Sequence, residues 1–160
     1  MNQETVTAPG EPIVVTGHFR ILFPTTAHGA HTARRAAERW LAAQQERSGP
    51  RTDDDSEATA SLLIAELTAN AARHGRVRGR NARLALTLTS AALRIEVTDA
   101  RGDRLPVPAA PDADAGEESG RGLLLVATLA DAWGCEPHHP GGKTVWAECT
   151  RHEPALKGGA

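Results

Sequence analysis

Apolar positions recur along this chain with two distinct periods. His18–Phe23 (HFRILF) is a short apolar-rich run that stops at Pro24 and predicts a strand. Over residues 28–47 the spacing changes. Ala33, Ala37, Trp40 and Leu41 fall at i, i+4, i+7 and i+8, a helical stripe, with Arg34, Arg35, Glu38 and Arg39 mostly off it. Ser48-Gly49-Pro50 ends that helix. Thr52, the Asp53–Asp55 run and Ser56 then offer N-cap candidates, with acids that suit the positive end of a helix over about 55–74. In that helix Leu62, Leu63, Ala65, Leu67, Ala69 and Ala72 cover most of the circumference.

Period two follows. Ala82, Leu84, Leu86 and Leu88 alternate with Arg83, Ala85, Thr87 and Thr89, and Leu93, Ile95 and Val97 repeat the pattern after a tight connection at Ser90–Ala92. This predicts a hairpin with one buried face. Residues 100–119 hold three prolines, two glycines and clustered acids with no periodicity, which suits a lid or binding loop. A further helix opens at Gly120-Arg121-Gly122 and carries Leu123, Leu124, Val126, Ala127 and Ala130. Trp133–Glu136 and Thr144–Thr150 form a second hairpin around His138–Gly142. Strand, helix, helix, two strands, lid, helix, two strands predicts an α/β fold. The expected architecture is a two-layer α/β sandwich, a mainly antiparallel sheet of about five strands with three helices on one face. Hairpins exclude an all-parallel dinucleotide-binding sheet. One domain is expected over 13–152, with residues 1–12 a flexible arm and 153–160 a flexible tail.

Composition narrows the function classes. The chain has 160 residues, ordinary for one domain. Eighteen Lys+Arg against twenty Asp+Glu leave a net charge of -2, and aromatics are 3%; neither suits direct nucleic-acid binding. There is no apolar run of membrane-spanning length, and the start, MNQETVTAPGEP, is not a secretory leader, so a cytoplasmic location is expected. Cys135 and Cys149 do not make a disulfide framework. They could face each other across a hairpin, but reduced core thiols are expected. His28, His31, His138 and His139 lack a matching Cys or carboxylate set and read as surface histidines rather than a zinc site.

The chemistry concentrates in ELTANAARHG, residues 66–75. Glu66, Asn70 and His74 are spaced i, i+4, i+8 and share one face of an otherwise apolar helix. Alone, that stripe equally suits a solvent-facing helix surface. Three further segments join it. Asp99 closes a strand in VTDARGD (97–103). Glycines in GRGL (120–123) before a helix let backbone N–H groups approach an anion. GGKTVW (141–146) is a glycine turn leading into a strand, by itself a plain hairpin. Arg73, Arg76, Arg78, Arg80 and Arg83 make a basic run after the polar stripe, mostly a solvated loop, with Arg73 on the polar face.

In that order and spacing the set resembles the GHKL (Bergerat-fold) ATPases, and more closely the small anti-sigma factor serine/threonine kinases of bacterial partner-switching systems. The resemblance covers about residues 18–150 and includes Asp131-Ala132-Trp133-Gly134. It implies ATP and Mg²⁺ as cofactors. Asn70 would hold the Mg²⁺, and Glu66 would orient or deprotonate the attacking hydroxyl. Asp99 would accept from the adenine amino group. Gly120, Arg121, Gly122 and Leu123 would meet the phosphates, and Thr144 would help close the adenine pocket. Arg73, His74, Gly75 and Gly102 complete the implied ATP site. The family's adenine box, D-x-G-x-G, is here D-A-R-G-D, with Arg101 and Asp103 at the glycine positions. A side chain at Arg101 would narrow the base site, and Gly102 would substitute through a shifted loop. The implied partners are an anti-anti-sigma antagonist, phosphorylated on Ser or Thr, and a sigma factor; homodimers are usual in the family. The alternative is a regulatory module that keeps the fold and binds sigma factor or antagonist without phosphotransfer, which the altered box favours.

Overall fold

The computed structural model describes residues 12–48, 54–103 and 121–151. In chain order the elements are β1 (Val15–Pro24), α1 (Ala27–Ser48), α2 (Asp54–His74), β2 (Asn81–Thr89), β3 (Ala92–Asp99), α3 (Arg121–Leu129), β4 (Ala132–His138) and β5 (Gly142–Thr150). The strands form one sheet in the order β1-β2-β3-β5-β4, with every neighbouring pair antiparallel. The expected two-layer sandwich is therefore present, and among the described strands no pair is parallel. The expected arm and tail lie outside the described residues except Pro12, as does the lid beyond Asp103.

Alternation fixes which side of the sheet meets the helices. Leu84, Leu86 and Leu88 on β2, Leu93, Ile95 and Val97 on β3, and Val145 and Ala147 on β5 are all buried, joined by Phe23 on β1. Leu63, Ile64, Leu67 and Ala71 of α2 and Leu123 and Val126 of α3 cover them. Ala30, Ala33 and Ala37 let α1 sit close, with Trp40 beside Phe19, ring centroids 5.7 Å apart. The other face is polar: the Arg94 guanidinium sits 4.2 Å from the Trp146 ring centroid and bonds to Glu148 at 2.7 Å. Burial lowers the Arg94 pKa, but the bonds to Glu148 and Glu96 outweigh it and leave the guanidinium above its ordinary value.

β1 begins at Val15, earlier than the apolar run indicates, because backbone pairing to β2 continues past a register shift between Val15 and Gly17. Gly17 faces Trp40, where a Cβ would approach its ring to 3.0 Å. Thr26 caps α1: the Gly29 N–H donates to its hydroxyl at 2.9 Å. α2 ends at His74, and the turn into β2 carries Gly79 at φ +79°, where a side chain would be strained.

Candidate functional site

The site forms where the C-terminal half of α2, the end of β3, the start of β5 and the first turn of α3 converge. Glu66 and Asn70 are half-buried, one turn apart on α2, and His74 follows at the end of the helix. Thr68, on the neighbouring flank, is buried and satisfied internally, its hydroxyl donating to the Ile64 carbonyl at 2.8 Å. Arg73 is exposed and lines a groove of about 200 Å³ between α1 and α2, with Arg34 and His31. It thus sits on the α1 flank of the polar stripe.

Two glycines join α2 to the other elements. At Gly122 in the first turn of α3, an added Cβ would lie 2.3 Å from Glu66 Oε2, so the carboxylate rests directly on the α3 backbone. At Gly75, just past α2, an added Cβ would lie 2.5 Å from Asp99 Cγ. The structure therefore brings Glu66 to Gly122, and Gly75 to Asp99, although these segments are far apart in sequence. Arg121 is exposed and Leu123 is buried in the core; Gly120 lies outside the described residues.

Asp99 itself is 5% exposed. Its Oδ1 accepts from the Arg101 N–H at 2.8 Å and from Lys143 Nζ at 3.0 Å. Lys143 Nζ also lies 2.9 Å from Asp99 Oδ2 and donates to the Arg101 carbonyl at 2.7 Å. Lys143 is 1% exposed, an ammonium held in the interior by that carboxylate and carbonyl. Asp99 and Lys143 face each other in the β3–β5 register, on the helix side of the sheet.

Thr144, one residue on, points to the opposite side. Its hydroxyl bonds to Thr98 Oγ1 at 2.7 Å and to His138 Nε2 at 2.6 Å. The β5 residue beside Asp99 is therefore Lys143 and not Thr144. Within GGKTVW the resemblance points to Thr144 and leaves Lys143 without a role. The signal was available: Val145 and Ala147 are in the inward phase, so Lys143 is too.

The D-A-R-G-D segment resolves differently from its one-dimensional reading. The Arg101 side chain turns away to Asp103, Nη2 to Oδ2 at 3.0 Å, while its backbone N–H and carbonyl serve the Asp99–Lys143 pair. The ion pair with Asp103 raises the Arg101 pKa. Gly102 packs on the β5 turn, where a Cβ would come within 2.4 Å of the Gly142 carbonyl oxygen, so this position requires glycine. Cys135 and Cys149 are free and are not opposite each other: Cys135 pairs with Val145, Cys149 with Leu93. Burial pushes the Cys135 thiol up, with Lys143 pulling the other way.

The two ends of the site differ in how they fit Mg-ATP. Among the described residues no cluster of three or more His, Cys, Asp or Glu could hold a metal alone. A magnesium ion that takes most of its oxygens from phosphates and water needs little more than the Asn70 carbonyl oxygen, so the donor set at this end fits. At the other end Asp99 offers a carboxylate acceptor whose oxygens already have partners in Lys143 and the Arg101 N–H. No helix among the described residues is long and apolar enough to cross a membrane. A family model described as histidine kinase-like ATPase domain matches residues 23–149. No curated protein matches the chain.

Proposed function

Because the chain belongs to the histidine kinase-like ATPase domain family, with the ATP binding that this implies, we propose that it is an ATP-dependent protein serine/threonine kinase of the anti-sigma type. Its substrate is a small anti-anti-sigma antagonist, and the same surface holds a sigma factor when the antagonist is phosphorylated or absent. The observation that carries the reading is the contact of the Glu66 carboxylate with Gly122. It sets a proton acceptor from α2 against the opening turn of α3, with Asn70 one turn along.

The residues divide the work by position. When bound, Mg²⁺ neutralises phosphate charge as the γ-phosphoryl group transfers. Asn70 offers a neutral oxygen to that ion. Gly122, without a side chain, lets the Glu66 carboxylate and the first turn of α3 approach each other, and Arg121 adds an exposed cation for the phosphates. Glu66 orients the substrate hydroxyl and takes its proton as the oxygen attacks the γ-phosphorus; the bond to the β-phosphate oxygen breaks and ADP leaves. His74-Gly75 and Asp99 hold the base end.

The test is labelled ATP with a candidate antagonist, read on a phosphate-retarding gel. Wild type transfers label. Glu66→Gln keeps nucleotide binding and slows transfer by about a hundredfold or more, the scale of a positioned base. If Glu66→Gln transfers as fast as wild type, Glu66 is structural. A second reading, a regulatory module that binds sigma factor or antagonist without phosphotransfer, is favoured by the engaged state of Asp99. It holds if wild type binds sigma factor yet labels no antagonist.

A further inference from the structure

Lys143 is a buried charged group that the phosphotransfer scheme does not use. It is one of two lysines in a chain with sixteen arginines, and it is 1% exposed. An ammonium has three N–H donors. Asp99 Oδ1 and the Arg101 carbonyl accept from Nζ at 3.0 and 2.7 Å, and Asp99 Oδ2 lies 2.9 Å away in the same ion pair, so the ammonium is held by protein acceptors. Asp99 is equally committed. Oδ1 serves both Lys143 and the Arg101 N–H, and Oδ2 is closed in by Lys143 on one side and Gly75 on the other. In this arrangement a base amino group arriving at Asp99 competes with Lys143 for the carboxylate.

We propose that Lys143 is a specificity-determining latch on the base site: it holds Asp99 in place of a purine amino group and must let go for that group to be read. The inference rests on the ATP-binding reading of the site and adds to it that base recognition is an exchange. One charged hydrogen bond is surrendered for each one made, so the exocyclic amino group of adenine contributes little net affinity in the wild-type protein. A side chain at 143 without the ammonium leaves Asp99 to be satisfied by the base alone. Its removal also strands a buried carboxylate, which destabilises the ligand-free protein and raises the gain on binding.

The experiment is calorimetric titration of wild type and Lys143→Met with Mg-ATP and with Mg-ITP, whose hypoxanthine base carries an oxygen where adenine has its amino group. Wild type is expected to bind the two nucleotides within a few-fold of each other. Lys143→Met is expected to bind ATP tighter than wild type does, and to prefer ATP over ITP, by about tenfold or more each, the scale of a hydrogen bond to a charged group. Unchanged or weaker ATP binding by Lys143→Met, or strong ATP preference in wild type, overturns the latch while leaving ATP binding intact. If neither protein binds nucleotide at millimolar concentration, the ATP-binding reading falls and the latch with it. Should Lys143→Met not fold, the wild type decides by NMR of ¹⁵N-lysine, where Lys143 and Lys157 give the two ammonium signals. A protected Lys143 signal that disappears on saturation with Mg-ATP supports release, and one that persists unchanged refutes it.

Discussion

Gly122→Ala separates the geometry of the proposed phosphate end from the stability of the fold. The added Cβ would sit 2.3 Å from Glu66 Oε2, about 1 Å inside ordinary contact, while the next atoms of Glu66 are 3.4 and 3.9 Å away. Only the tip of a flexible side chain is in the way, so the clash resolves by turning the carboxylate. That rotation costs about 0.5–1.5 kcal/mol if it leaves the favoured rotamer. Replacing glycine by alanine in a helix returns up to about 1 kcal/mol. The net change in unfolding free energy is therefore expected within about 1 kcal/mol, small beside the effect on chemistry. A reacting group moved by about 1 Å loses on the order of a hundredfold in rate. Urea denaturation should find a midpoint near that of wild type, and label transfer from Mg-ATP to the antagonist should fall by about two orders of magnitude. A Gly122→Ala protein that phosphorylates the antagonist at the wild-type rate would refute the placement of Glu66 at the reacting phosphate. A loss of stability well above 2 kcal/mol would refute the view that only the carboxylate tip gives way.

Gly75→Ala is expected to be far worse for stability, because its Cβ would meet Asp99 Cγ, Oδ2 and Cβ at 2.5–2.7 Å and that side chain is pinned by Lys143 and the Arg101 N–H. A loss of about 2–4 kcal/mol follows from overpacking and strained charged hydrogen bonds. Gly79→Ala, with open space around it and only its positive φ to satisfy, should lose about 1 kcal/mol in the same urea titration; equal losses at the two positions would contradict the contact with Asp99. Burial, with Asp131 nearby, pushes the Cys149 thiol from 9.0 to about 11. The unfolded chain therefore releases this proton first, and stability present below about pH 9 declines as pH rises toward about 11. Cys149→Ala should flatten that alkaline decline in thermal melts taken across the range, and an unchanged slope would exclude Cys149 as a contributor. Thiol titration with iodoacetamide at pH 8 should be slow at Cys149 relative to the unfolded protein.

Most of the fold was legible because its elements carry a clean period. The i, i+4, i+7, i+8 stripe of Ala33, Ala37, Trp40 and Leu41 in α1, and the alternation of leucines and other apolar residues along β2 and β3, leave little choice of structure or of buried face. Element ends were less so. β1 runs back to Val15 across Gly17, where the pairing is decided by contact with β2 and Trp40 rather than by local pattern. The polar stripe of α2 was legible as a stripe; that Glu66 rests on Gly122 and Gly75 on Asp99 is a matter of tertiary approach. What went unread is the Asp99–Lys143 pair. A single lysine after two glycines looks like turn polarity until the strand register is written out, and only then do Asp99 and Lys143 fall opposite each other on the inner face. The D-A-R-G-D segment misled for a related reason: Arg101 acts through its backbone while its side chain leaves for Asp103.

The account stands most directly on calorimetric titration of Mg-ATP into the wild type and Asn70→Ala. It predicts saturable magnesium-dependent binding by wild type and a loss of that binding, without loss of fold, in Asn70→Ala. Absence of binding by wild type at millimolar nucleotide, or equal binding by both proteins, would contradict it.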